Sequence, residues 1–440
     1  MDHSIIPEDL AIFRRHFDDN PISRMAARAV SKTSADDICY DTQSAKKMSF
    51  QFSVDIPTMP AANQKASGRC WLFAALNILR EKLGKALNVE KLELSQSYLF
   101  FYDHLEKANT FLEHIIATAG ERLDDRYVAM LLSNPQGDGG WWEYFAGLCK
   151  KYGICPKEAM PETHQSSNSE AMNTLLNMQL RRDALELRRM LGSGAAADAV
   201  QEAKKAMLDR IYNLLAIFLG NPPKTFDFEY VDREKVYHAD RGLTPRGFYD
   251  TYLGTDLDSI VSILNAPVAD IPYYQTYYTQ GEESIFGACQ AKRLNLPLEE
   301  FKAAVLRQLQ AGELVWFVCD CDYYGSMQEG IWDTALYDYE TPFGLHLGLT
   351  KGELLELRQC SLNHAMVLTG VNLVDGKPDR WKIQNSWGTE KGNDGYFVMS
   401  DAWFDRYVFT ASIEKQFLTP QQRELFAQEP VVMPPWNILA

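Results

Sequence analysis

With 440 residues the chain has room for two or three domain-sized units, and a 46% hydrophobic content including 12% aromatic residues supplies a large core and excludes disorder. A formal charge of −15 opposes contact with phosphate backbones, so no nucleic-acid partner is expected. No apolar run approaches the roughly 18 residues of a membrane span. The opening MDHSIIPEDLAIFRRHF lacks a basic stretch followed by an apolar one, so a cytoplasmic protein with no membrane partner is expected.

In chain order, residues 1–60 read as an N-terminal extension packed on the core, with one short helix near 8–18 and otherwise polar, extended sequence. Residues 61–164 read as a helical half. After Gly68, the stretch CWLFAALNILREKLGKAL places Trp71, Ala74, Ala75, Ile78, Leu79 and Leu83 at a 3.6-residue period, the mark of a helix with one buried face. Ser67 is a candidate N-cap for it, and a second helix is expected to start near Ser95. Residues 165–255 read as an inserted helical subdomain, in which two strongly helical stretches are split by GSGAAAD. Residues 256–414 read as a β-rich half, with strands at 313–321, 364–374, 380–387 and 395–400. The sum is an α+β fold. Residues 415–440 end in QEPVVMPPWNILA. Pro430, Pro434 and Pro435 favour an extended arm, and its apolar residues imply that it docks.

The eight cysteines are Cys39, Cys70, Cys149, Cys155, Cys289, Cys319, Cys321 and Cys360. A chain with this much core needs no disulfide staples. Cys319 and Cys321 are too close for an ordinary zinc half-site, so no metal and no cofactor are expected. Cys70 is the chemical candidate. A thiol in the first turn of a helix meets unpaired amides and the positive end of the dipole, which lower its pKa. Gln64, across a turn containing Ser67 and Gly68, can join the Cys70 amide in an oxyanion hole. His364 begins a strand and is the candidate base, although a histidine beside an apolar strand is more often a half-buried core residue. If 364–374 and 380–387 pair as a hairpin, Asn385 reaches the His364 ring and fixes its orientation, with Trp387 covering the bond.

These segments, QxxSGRCW, NHAMVLTG and NSWG in that order, resemble the papain superfamily. GDGGWWEYFAGLCKKYGI at 137–154 and WGTEKGNDGYFVMS at 387–400 extend the likeness. The resemblance implies a papain-like fold, a helical half against a β-rich half, and a cysteine peptidase with Cys70, His364 and Asn385 catalytic and Gln64 in the oxyanion hole. It also places Gly139 and Gly140 beside the substrate, where glycine admits a close, strand-like peptide. The chain departs from secreted papains at Ser67 and Gly137, where cysteines would stand, in keeping with a reducing compartment. His364 follows Cys70 by 294 residues, about twice the roughly 130–150 of papain, and the excess coincides with the inserted helices.

VDIPTMPAANQKASGRCWLFAALN, LSQSYLFFYDHLEKAN and GELVWFVCD are similar to the aminopeptidase C and bleomycin hydrolase family. Membership implies a homo-hexamer acting on peptides, with the C-terminal arm in the cleft confining cleavage to the substrate's N-terminal residue. The carboxylate of Ala440 would then pair with the substrate's α-ammonium. The arm is about three residues shorter after its Trp than the family pattern, which keeps an oligopeptide endopeptidase as the alternative. A transglutaminase-like enzyme and an inactive papain-like binding protein are the rival classes.

Overall fold

A computed structural model describes residues 3–254, 256–288 and 290–439. Its helical half is organised around the helix Cys70–Leu87, which is buried on more than the one face expected: every residue from Cys70 to Glu81 is buried. The helix is enclosed by the helices Gln96–Ala117 and Trp142–Tyr152 on one side and by the strand His364–Val374 on the other. Even its charged residues are drawn in, for Arg80 pairs with Glu81 at 3.4 Å and Glu81 accepts from the Met59 amide at 2.8 Å. Ser67 is not its cap. Arg69 holds that position without capping the helix, its guanidinium donating to Ser67 Oγ at 2.9 Å and to Glu162, while the Ser67 hydroxyl donates to the Gln64 carbonyl at 2.7 Å. Ser95 does cap the next helix, accepting from Tyr98 N.

The insertion forms the two long helices Glu170–Gly192 and Ala197–Leu219, as the sequence predicts. Leu176, Leu180, Leu187, Met207, Ile211 and Leu215 are buried where both helices pack on Gln96–Ala117. Beyond them lies an antiparallel hairpin, Phe226–Val231 with Tyr237–Leu243, in a region read as helical. The N-terminal segment is also more helical than expected, with Pro7–Asp19, Pro21–Val30, Ala35–Cys39 and Thr42–Ala45. Asn20, Ser34 and Asp41 accept the first-turn amides of the last three, and two of the four begin with proline.

The β-rich half is a single sheet. Its strands run in the order Val431–Met433, Thr276–Thr279, Arg293–Asn295, Ile260–Leu264, Val408–Glu414, Val315–Cys319, His364–Val374, Lys377–Gln384, Tyr396–Ser400, Ile331–Trp332 and Gly325–Ser326. Val54–Asp55 adds to the His364 strand through Val371 and Gly370. A Cβ on Gly370 would lie 2.5 Å from the Val54 carbonyl oxygen, so this N-terminal pairing requires glycine. The expected hairpin forms, with Val367 opposite Gln384 and Leu368 opposite Ile383. Among the described residues no helix is long and apolar enough to cross a membrane.

Candidate active site

Cys70 is the first residue of its helix, and His364 is the first residue of the strand packed against that helix. Both line one cavity of about 680 Å³, together with Gln64, Gly139 and Gly140. The hairpin register carries Asn385, just past the end of the second strand, back to the start of the first. There His364 Nε2 lies 2.9 Å from Asn385 Oδ1. The same oxygen accepts from Ser386 N at 2.8 Å, so Nε2 is the donor and His364 Nδ1 is left to exchange a proton. Trp387 stacks on the imidazole at 4.7 Å between centroids and 20° between planes. His364 is 5% exposed and Asn385 1%, so water has little access to their bond.

Burial governs the charges here. It pushes the Cys70 thiol up, while the amides of Ala365, Trp71 and Cys70 pull it down. The expected fall in thiol pKa at the helix start is therefore outweighed by desolvation. Burial likewise lowers His364 to about 4, against the opposing bond to Asn385. Either charge alone is costly in this site. A proton passed from thiol to imidazole leaves the pair neutral overall, and so avoids an isolated buried charge.

Gln64 is held from two directions. Its Oε1 accepts from the Ser386 hydroxyl, and its backbone N donates to Ser386 O at 2.8 Å. One hydrogen of its amide goes to Ser67 O at 2.6 Å, which leaves the other for a ligand. Ser386 thus orients Gln64 as Asn385 orients His364, a link the sequence reading missed although the residue lies within NSWG.

The two glycines differ. A Cβ on Gly140 would stand 2.6 Å from the Trp71 ring, whereas none would meet anything within 4 Å at Gly139. Gly140 is thus demanded by packing inside the protein, and Gly139 opens on the cavity. The turn itself is fixed by residues that the sequence did not single out. Lys107 Nζ donates to Gly137 O at 2.9 Å and Gly139 O at 2.5 Å, and pairs with Asp103 at 2.6 Å. Asp138 accepts from Gly68 N at 2.8 Å, Ser169 Oγ at 2.5 Å and Asn173 Nδ2 at 2.6 Å. Burial opposes its ionisation, but His104, Ser169 and Asn173 outweigh that and keep the carboxyl well below its ordinary range.

The arm is placed as far as residue 439. Val431–Met433 adds a parallel strand to Thr276–Thr279, Trp436 lies over the Arg126 guanidinium at 4.1 Å, and Arg358 donates to Trp436 O at 2.9 Å. Ala440, with its expected carboxylate contact, lies outside the described residues. The seven described cysteines are all free and buried, and Cys289 lies outside the described residues. Among the described residues no group of three or more His, Cys, Asp or Glu side chains is placed to hold a metal ion.

A thiol at a helix start, sharing a cavity with an imidazole that an asparagine holds, on a helical half packed against a sheet, is the arrangement of a papain-like cysteine peptidase. Residues 4–440 match the Peptidase C1-like family, and the chain belongs to it. It is 40% identical to aminopeptidase C of Lactobacillus delbrueckii subsp. lactis over 440 residues, covering 99% of this chain and 98% of that one. It is 39% identical to aminopeptidase G of the same organism, with both chains covered in full. The crystal structure of PepW from Lactobacillus rhamnosis HN001 superposes with a TM-score of 0.98 at 42% identity, covering 100% of this chain and 99% of that one.

Proposed function

We propose that the protein is a cytoplasmic cysteine aminopeptidase that removes N-terminal residues from peptides. The reading rests on the 2.9 Å bond between His364 and Asn385 at the wall that also carries Cys70 and Gln64. His364 Nδ1 takes the thiol proton as Cys70 Sγ attacks the substrate carbonyl. The Gln64 amide and the Cys70 N–H stabilise the oxyanion. His364 returns the proton to the leaving amine, and a thioester remains on Cys70. Water, deprotonated by the same nitrogen, then hydrolyses the thioester. No metal or organic cofactor has a part in these steps. The free cysteines are in keeping with a reducing cytoplasm.

The arm supports cleavage from the amino end. Arg126 starts the helix whose Met130 and Leu131 line the cavity, and Arg358 precedes the segment whose Leu362 lines it from the other side. Held by both arginines, Trp436 is tethered to two segments that border the cavity, which supports an arm that limits the length of the cleft. The second reading is an oligopeptide endopeptidase of the same family. Rates on a leucyl amide and its N-acetyl derivative decide between them. We expect the free amine to be preferred, and deletion of Asn437–Ala440 to reduce that preference. A native preference for the blocked substrate establishes the endopeptidase. Turnover retained by Cys70→Ala refutes the nucleophile.

We also propose a homo-hexamer. Leu10, Phe13, Phe17, Ile22 and Met25 leave an apolar surface on the first two helices that self-association would cover. A stable monomer of about 50 kDa in light scattering excludes it.

A further inference from the structure

The cavity continues well beyond Cys70 and His364. One wall is a single face of the helix Gln96–Ala117, carrying Lys107, Thr110, Phe111 and His114. Lys107 marks the cleft end, because its Nζ holds the Gly137 and Gly139 carbonyls. His114 is seven residues farther, about 10 Å along the helix axis. There Glu283 lines the same cavity, with a side chain only 11% exposed. One carboxyl oxygen accepts from Gly287 N at 3.1 Å. The other stands 3.6 Å from His114 Nε2, beyond hydrogen-bonding distance.

Among the described residues no lysine or arginine lines this end of the cavity. Burial pushes the Glu283 carboxyl up and the His114 imidazole down, so the histidine is a poor counter-charge. Lys107, the one lysine or arginine that lines the cavity among the described residues, is engaged with Asp103 at 2.6 Å. His114 Nε2, on the wall of the cavity, is buried without a hydrogen-bond partner among the described residues. Buried polar groups in that condition carry a desolvation cost that a bound donor relieves. Between the two ends the lining includes Phe111, Met130 and Leu131, which suit the methylene stem of a long side chain. An extended lysine reaches roughly 6 Å from Cα to its nitrogen at ordinary bond lengths. The glutamate side chain spans part of the remainder.

We propose that Glu283 closes a specificity pocket for a basic side chain, lysine or arginine, on the acyl side of the scissile bond. The inference rests on the peptidase reading above and names a substrate class for that same cleft. The ammonium or guanidinium donates to the free Glu283 oxygen, while its stem lies along the apolar wall.

The test compares coumarin amides of arginine with citrulline, and of lysine with norleucine, on the native enzyme and on Glu283→Gln. In the native enzyme, kcat/KM is expected to favour each cation over its neutral partner about tenfold, as for a charge-assisted hydrogen bond. In the variant both ratios are expected to fall towards one. A native ratio near one, or a ratio that survives the substitution, overturns the proposal. So does a loss shared equally by all four substrates, which assigns the carboxylate to the α-ammonium they have in common. Calorimetry of arginine amide and citrulline amide binding to Cys70→Ser needs no turnover. Equal affinities overturn the pocket even where Glu283→Gln does not fold. If the native enzyme hydrolyses none of the four amides, the aminopeptidase reading fails and this calorimetric comparison alone decides the pocket.

Discussion

Gly139 and Gly140 are neighbours in sequence, yet the structure predicts opposite consequences for the same substitution. In Gly140→Ala the new methyl carbon would lie 2.6, 2.7 and 2.8 Å from three atoms of the Trp71 ring. Ordinary carbon contacts lie at about 3.5–4.0 Å, so the overlap approaches 1 Å. The ring cannot withdraw cheaply, because Trp71 is 1% exposed and its Nε1 donates to Asp138 O at 2.8 Å. Overpacking costs about 1–3 kcal/mol and the strained hydrogen bond about 1 more, so a loss of about 2–4 kcal/mol is expected. In Gly139→Ala nothing lies within 4 Å and the stability change should stay within about 0.5 kcal/mol. Its methyl group instead faces the cavity and obstructs an extended substrate, raising KM. Denaturant unfolding and steady-state kinetics on both variants check this. A Gly140→Ala protein as stable as the native one refutes the packing argument. A Gly139→Ala protein with unchanged KM refutes the view that this residue borders the substrate.

Two further outcomes follow from the site. Gln64→Ala should lower kcat by about 10²–10³-fold as an oxyanion donor is lost, and Ser386→Ala by about tenfold, because the Gln64 N–Ser386 O bond at 2.8 Å survives that change. Equal losses in the two variants would show that Ser386 does more than hold the amide. Burial lowers His364 to about 4 against an ordinary 6.5, and Cys70→Ala removes the thiol that would otherwise titrate beside it. Between those values the unfolded chain binds more protons than the folded one, so stability is full above about pH 6.5 and falls as the pH drops, by about 3 kcal/mol in all. Unfolding followed across this range in Cys70→Ala and Cys70→Ala/His364→Gln tests it. A pH slope unchanged by the second substitution assigns the effect to other groups.

What the sequence disclosed about the site was what is local along the chain. The helix start at Cys70 follows from the 3.6-residue pattern after Gly68. The approach of Asn385 to His364 follows from two adjacent strands that can pair only as a hairpin, so a contact across 21 residues was legible. The helices capped by Asn20, Ser34 and Asp41 were not anticipated, because the polar sequence around them reads as extended. The thiol was misjudged for a different reason. Helix position alone puts Cys70 in a favourable field, and only the packed structure shows that desolvation is larger.

Contacts between distant segments were not legible, and they set the geometry of the cleft. Asp138 lies between Gly137 and Gly139 and reads as one more polar turn residue. In the fold its carboxylate takes the amide of Gly68, two residues before the candidate nucleophile, and also Ser169 and Asn173 at the start of the first inserted helix. Its carbonyl takes the Trp71 indole. A Cβ on Gly68 would lie 2.7 Å from the Asp138 Cβ, so the two loops are as close as their backbones allow. One buried carboxylate thereby ties together the loop before Cys70, the glycine turn that lines the cavity and the two long helices that follow it. The inserted helices are therefore not an appendage to the catalytic core, because two of the four donors that satisfy Asp138 and fix the cleft come from them, or from the residue that precedes them.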